Sequence, residues 1–132
     1  MLDDLAGQVE HRGYVTEAER RQLYDEASML VVPSLDEGFG MPALEAMTIG
    51  LPVVAASRGA LPEVTGDAAR LVDPLDDEAI AHAMQQALTD RAGTLTRIER
   101  GVARAAGYSW RSSAARLLEA YQHLHAGRRA RA

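Results

Sequence analysis

The sequence predicts an α/β domain, a parallel sheet covered by helices on both faces, and three observations carry that prediction. Short apolar runs recur at Met29–Val32, Pro52–Ala56 and Ala69–Val72. They do not alternate polar with apolar, as expected of strands buried on both faces. Helix start and stop signals stand between them, so the connections read as crossovers and the strands as parallel neighbours. The 132 residues suffice for one domain with a core but not comfortably for two. No internal repeat or low-complexity segment is present.

The elements follow in order. Val9–Arg12 is a short strand candidate ended by Gly13, which makes about four strands in all. Thr16 with Glu19 matches a capping box, so a helix should run from about Glu17 to Ala27. Met29–Val32 is closed by Pro33. Pro42 and Gly50 bracket a helix of about eight residues, with proline at the first turn and glycine at the C-terminal cap. A helical turn is expected at Leu61–Thr65 in the loop after Ala56. Asp73-Pro74 stops the strand at Val72, and Asp76 or Asp77 caps a helix to about Thr89. Ile80, Ala83, Met84, Ala87 and Leu88 keep its 3.6 spacing. Another helix covers about Thr94–Ala106, and Ser109 caps a last one, about Trp110–Leu124. Residues 1–126 form the domain, and 127–132, with Arg128, Arg129 and Arg131, a flexible basic tail.

Composition removes several classes of function. Net charge is −5, against a nucleic-acid surface. With no cysteine there are no disulfides, thiol nucleophiles or thiolate metal sites, and a reducing, cytoplasmic setting fits. No apolar run approaches a transmembrane span. The arginine tail allows peripheral contact with anionic lipid at the inner membrane face, although three charges are few for it. His11, His82, His123 and His125 lack metal-pair spacing and read as surface residues. Asp73, Asp76 and Asp77 lack a calcium-loop pattern and read as caps.

Chemistry concentrates in one stretch, Pro33 to Glu45. It places Glu37 and Glu45 eight positions apart, with Gly38, Gly40 and Pro42 between them. Ligands of open α/β sheets bind beyond the carboxyl ends of the strands, and this loop follows one. The glycines allow sharp turning and close approach to a ligand. The helix beginning near Pro42 offers free backbone N–H groups to a phosphate. Glu45, expected in the first turn with its side chain pointing back, would reach over the same mouth. Its two acceptor oxygens match adjacent sugar hydroxyls, and Glu37 could serve a second set. Alone, Glu45 is equally well read as stabilising the helix dipole, and Glu37 as a solvated loop residue.

The string E-G-F-G-M-P-A-L-E-A-M resembles the E-x7-E signature of retaining nucleotide-sugar glycosyltransferases of the two-domain GT-B fold, the glycosyl transferases group 1. L-Y-D-E-A-S-M-L-V-V-P-S before it agrees, as do G-L-P-V-V-A-A-S-R-G-A-L-P-E-V and A-A-R-L-V-D-P after it. The resemblance spans about Val9 to Tyr121 and implies a partial, Rossmann-like C-terminal domain of that fold. It further implies that Glu37 meets the donor sugar and assists transfer, and that Glu45 holds the ribose diol. Gly38, Phe39, Gly40, Met41 and Leu44 would form the rest of the donor site. Tyr14 and Val15 would contact the base, and Gly59 and Glu63 would lie near the pocket, Glu63 equally well serving to cap its short helix. The implied reaction moves a sugar from a nucleoside diphosphate with retention and needs no metal.

Against the family's pattern the chain is truncated. The implied N-terminal acceptor domain and the family's phosphate-gripping Arg and Lys would lie upstream, and no lysine occurs. Arg58 is the only basic residue near the motif in sequence. Asp36, Glu37 and Glu45 would repel a diphosphate, so the chain alone is expected to be inactive. If the complete sheet has the 3-2-1-4-5-6 order, its two central strands are absent. Val9–Arg12 must then meet Met29–Val32 directly or leave an edge open. Trp110, Leu117 and Tyr121 should expose an apolar patch or find a partner. The alternative is a non-catalytic remnant that binds a nucleotide or partner. A sugar-nucleotide epimerase is disfavoured, because no G-x-G-x-x-G follows a strand.

Overall fold

The computed structural model describes the backbone of residues 7–129 and side chains through His125. Among these residues four helices alternate with three strands, and two further helices follow: α1 Glu17–Glu26, β1 Leu30–Val32, α2 Met41–Thr48, β2 Val53–Ala56, α3 Leu61–Thr65, β3 Arg70–Val72, α4 Asp77–Thr89, α5 Arg91–Ala105 and α6 Trp110–Arg129. The strands form one parallel sheet in the order β1-β2-β3. Val31 is in register with Val54, and Ala55 with Leu71.

Side chains leave a strand on alternate faces, and that periodicity divides the core. Leu30, Val32, Val53 and Ala55 pack with Ala43, Ala46 and Met47 of α2, Leu61 and Val64 of α3, and Ala105 of α5. Val31, Val54 and Val72 face the other way, onto Ala79, Ile80, Ala83 and Ala87 of α4. The expected layers are therefore present, with β2 buried along its whole length. Small residues let these layers approach closely. A Cβ at Gly101 of α5 would lie 3.2 Å from Met47 Cγ, so only glycine seats α5 comfortably on α2 there.

Local signals account for most boundaries. The Thr16 hydroxyl accepts the Glu19 N–H at 3.3 Å, and Glu19 Oε2 accepts the Thr16 N–H at 2.7 Å. That reciprocal box starts α1 where the sequence places it. Asp76 caps α4 through the Ala79 N–H, and Ser109 caps α6 through the Ser112 N–H.

Three expectations need correction. Val9–Arg12 is not a strand of the sheet; only Val9 forms an isolated bridge, so among the described residues there are three strands rather than about four. Its polar residues Glu10, His11 and Arg12 are exposed, and Arg12 pairs with Glu10 two positions away. The helix expected from Thr94 begins three residues earlier, because Asp90 Oδ1 accepts the Gly93 N–H and closes the first turn over the glycine. The last helix continues beyond Leu124 to Arg129, into the segment expected to be tail; residues 130–132 lie outside those described.

α5 is tied down by arginines. Arg97 donates to the carbonyls of Asp67 and Ala69, Arg100 pairs with Asp67 at 2.8 Å, and Arg104 donates to the carbonyls of Val64 and Glu63. By contrast, no side chain from Trp110 to His125 of α6 is buried. Trp110 is 87% exposed, and Leu117, Leu118, Tyr121 and Leu124 are also open, as the sequence anticipated for this patch.

Asp90 supplies a pH test of this architecture. The Gly93 N–H and then the Arg70 guanidinium hold its carboxyl below the usual 3.8. A depressed carboxylate stabilises the fold above its unfolded pKa and loses that effect as pH falls through the folded value. Asp90→Ala should therefore be less stable than the parent at pH 7, and the gap should close as pH falls below about 4. Urea unfolding at several pH values checks this.

Candidate functional site

The loops leaving the carboxyl ends of the strands, 33–40, 57–60 and 73–76, meet at one edge of the sheet. The first two are joined through their backbones. The Ala60 N–H donates to the Glu37 carbonyl at 3.0 Å. Gly59 has φ +59°, and a Cβ there would stand 2.9 Å from both the N and the O of Glu37. That clash is with backbone and cannot be relieved by a rotamer change. Arg58 beside it pairs with Asp73 at 3.1 Å, bridging to the third loop.

The motif loop enters α2 through Gly40, which has φ +91° and is buried. A Cβ there would lie 2.8 Å from Leu61 Cδ2 and 3.7 Å from Glu37 Cγ. Leu61 is fully buried, so the glycine lets α2 begin directly over the core. No side chain caps α2, and Pro42 has no N–H. Met41 and Ala43 are left to present the donors of its first turn. Glu37 is part-buried beside this uncapped terminus, and among the described residues its carboxylate has no hydrogen-bond or ion-pair partner.

Glu45 lies elsewhere. It is the fifth residue of α2, beyond the first turn where the sequence reading put it. Its carboxylate turns toward α1, where Arg20 Nη1 lies 2.8 Å from Oε1 and 2.7 Å from Oε2. The Tyr24 hydroxyl donates to Oε2 at 3.1 Å. Arg58 is thus not the only cation near the motif. Arg20, 25 positions before Glu45, was invisible to a search along the chain. The signal that could have found it is periodicity, since Arg20 and Tyr24 are four apart and share a face of α1. Burial, followed by the Glu45 charge, pushes the Tyr24 phenol up to about 12. An open groove of about 270 Å³ lies between α1 and α2, lined by Arg20, Arg21, Tyr24, Glu45, Thr48 and Ile49.

The remaining candidates divide. Phe39 meets Tyr108 edge-on at 6.0 Å, and Phe39, Met41 and Leu44 line a small hollow against Trp110 and Ser113. Leu44 also packs on the core. These three side chains face the start of α6, not Glu45, so what the loop offers a ligand at the α2 terminus is backbone. Gly38 is exposed, with open space where a Cβ would stand. Tyr14 is 96% exposed and Val15 partly so, just ahead of the α1 cap. Neither has a hydrogen bond to Glu37 or Glu45 among the described residues. Glu63 sits in the first turn of α3, where its carbonyl holds Arg104 and its side chain is exposed. Among the described residues no cluster of three or more His, Asp or Glu could hold a metal ion, and no helix is long and apolar enough to cross a membrane.

The Tyr24–Glu45 contact is open to titration. Tyr24 should ionise near 12 in an ultraviolet difference spectrum against Tyr24→Phe, and Glu45→Gln should lower that value toward 10. Between about 10 and 12 the unfolded chain ionises this phenol while the folded chain does not, so this contribution to stability is lost as pH rises through the window.

Comparison with known proteins bears on the fold and the family. The family model for glycosyl transferases group 1 matches residues 1–90. O-antigen chain mannosyltransferase B of Escherichia coli is 40% identical over 118 residues, covering 89% of this chain and 31% of that protein. The structure of a sucrose-phosphate synthase from Thermosynechococcus elongatus superposes with a TM-score of 0.80 at 32% identity, covering 94% of this chain and 32% of the other. The C-terminal domain of a glycosyl transferase group 1 family protein from Francisella tularensis superposes with a TM-score of 0.63 at 30% identity, covering 72% of this chain and 50% of the other. The chain thus spans about a third of the mannosyltransferase and of the synthase.

Proposed function

We propose a donor-site role for this chain from one premise: it belongs to the glycosyl transferases group 1 family, whose model residues 1–90 match. In this reading it is part of the donor-binding, C-terminal domain of a GT-B glycosyltransferase. The whole protein transfers a sugar from a nucleoside diphosphate with retention of configuration. The observation that carries the proposal is the placing of Glu37, whose carboxylate has no partner among the described residues, beside the uncapped N-terminus of α2 at the carboxyl edge of the sheet.

Each part has a chemical task. The N–H groups of Met41 and Ala43, with the partial positive charge of the helix end, take a phosphate oxygen. Glu37, next to them, accepts hydrogen bonds from the donor sugar and assists its transfer. Glu45 accepts a ribose hydroxyl, and Tyr14 and Val15 border the base. Gly59 keeps the loop tight against Glu37; Arg58, held by Asp73, sits at the same edge as the nearest cation to Glu37 along these loops. No metal enters this scheme, because the helix terminus and protein cations stabilise the leaving diphosphate. The mannosyltransferase relative makes mannose the first sugar to test.

A second reading has its own support in the bare apolar stripe of α6, which favours a chain that works only against a partner domain. Isolated, it would bind a nucleotide and catalyse nothing.

Calorimetric titration with UDP, GDP and ADP and their sugar conjugates tests the site. One nucleotide should bind saturably. Glu37→Ala should weaken the sugar conjugate about tenfold or more while leaving the bare diphosphate nearly unchanged, as expected for losing a charge-assisted hydrogen bond. Equal losses for both ligands would remove Glu37 from the sugar.

A further inference from the structure

The surroundings of Glu45 carry a consequence for how its ligand is held. An ionised carboxylate has about four acceptor positions on its two oxygens. Oε2 receives both Arg20 Nη1 and the Tyr24 hydroxyl, and Oε1 receives Arg20 alone. One acceptor position, on Oε1, stays open. The Glu45 side chain is 30% exposed at the wall of the α1–α2 groove, so a ligand lying there can reach it. The Tyr24 ring packs against the core, which anchors the hydroxyl.

We infer that Arg20 and Tyr24 are positioning residues that fasten Glu45 so that it presents Oε1 to a single ribose hydroxyl of a nucleotide in the α1–α2 groove. The inference rests on the donor-site reading of Glu45 and adds the means by which the carboxylate is aimed. A carboxylate on α2 without these partners would rotate freely about its side-chain torsions, and a ligand would have to order it on binding. With them, ordering is complete before the ligand arrives. The arrangement also replaces the diol-chelating geometry the sequence suggested with recognition of one hydroxyl.

The test compares a ribonucleoside diphosphate with its 2′,3′-dideoxy counterpart, titrated into this chain and three variants. The parent should prefer the ribonucleotide, and Glu45→Gln should remove most of that preference. Tyr24→Phe, which keeps the ring in the core, and Arg20→Gln should each cut ribonucleotide affinity about two- to tenfold, the range of one neutral hydrogen bond. Both should leave dideoxy affinity unchanged. A purely structural role would lower both ligands together, and that result overturns the inference. So does an unaltered preference in both variants while Glu45→Gln abolishes it. If Glu45→Gln keeps the preference, or no nucleotide binds the parent, the donor-site reading of Glu45 itself fails and takes the inference with it.

Discussion

The site depends on a backbone contact in which no side chain takes part. Gly59 lies against the peptide of Glu37, closer than any Cβ allows, and the next residue donates its N–H to the Glu37 carbonyl. This contact joins loops that leave adjacent parallel strands. Strand pairing brings their starting points together, with Val32 beside Ala55, but it does not specify the path of either loop beyond Pro33 or Ser57. The Gly59 contact does. It also leads directly into α3, whose Leu61 fills the space under Gly40. One glycine therefore sets where Glu37 stands, and a second sets where α2 begins. Replacing either would force a left-handed backbone onto a residue with a side chain and also require movement of packed atoms, a cost of about 1–3 kcal/mol for the strain alone.

Electrostatics set a different limit. Three carboxylates, Asp36, Glu37 and Glu45, are grouped in a motif proposed to receive a diphosphate. Arg20 neutralises Glu45 across the α1–α2 junction, and Arg58 is engaged with Asp73. Neither pair is deeply buried, and exposed ion pairs contribute only about 0–1 kcal/mol. Their value here is spatial. Arg20 offsets one negative charge in the field a phosphate would meet, and Asp36 and Glu37 are left without hydrogen-bond or ion-pair partners among the described residues. The two glutamates of one signature thus have different environments, one open at the sheet edge and one tied to Arg20 and Tyr24 at a helix junction. Identical residue types in one motif need not perform identical work.

The sequence revealed the layers because their causes are local. A capping box, an aspartate before a helical period, proline at the start of α2 and unbroken apolar runs each act over a few residues, and α1, α2, α4 and all three strands fall within a residue or two of expectation. It misread features whose causes are nonlocal. Val9–Arg12 has an apolar start, but among the described residues no strand of the sheet runs beside it, and periodicity along one segment cannot report its neighbours. The sequence places the start of α5 at about Thr94, three residues late, because Asp90, which closes its first turn, is itself held by Arg70 from β3. In the site, the motif's order along the chain suggested one cluster of side chains. Three dimensions separate it, because successive helical residues point about 100° apart: Met41 and Leu44 turn to α6, and Glu45 turns to α1.

The two ends of the molecule bear on how much of the proposed work it can do alone. β1 is an edge of the three-stranded sheet and α6 is bare along its described length, yet the layers between them are closely packed. Relatives about three times as long contain this region as a minor share of their length. A packed centre between one open strand and one uncovered helix is what a segment of a larger assembly should look like, because apolar surface of this extent is normally covered. The distinction matters for function. Gly40 packs over buried Leu61, Gly59 against the Glu37 backbone and Glu45 against α1, so none of these contacts involves α6. On the proposed reading, nucleotide binding can persist where transfer cannot, since transfer would also require an acceptor held at the face Glu37 is proposed to address.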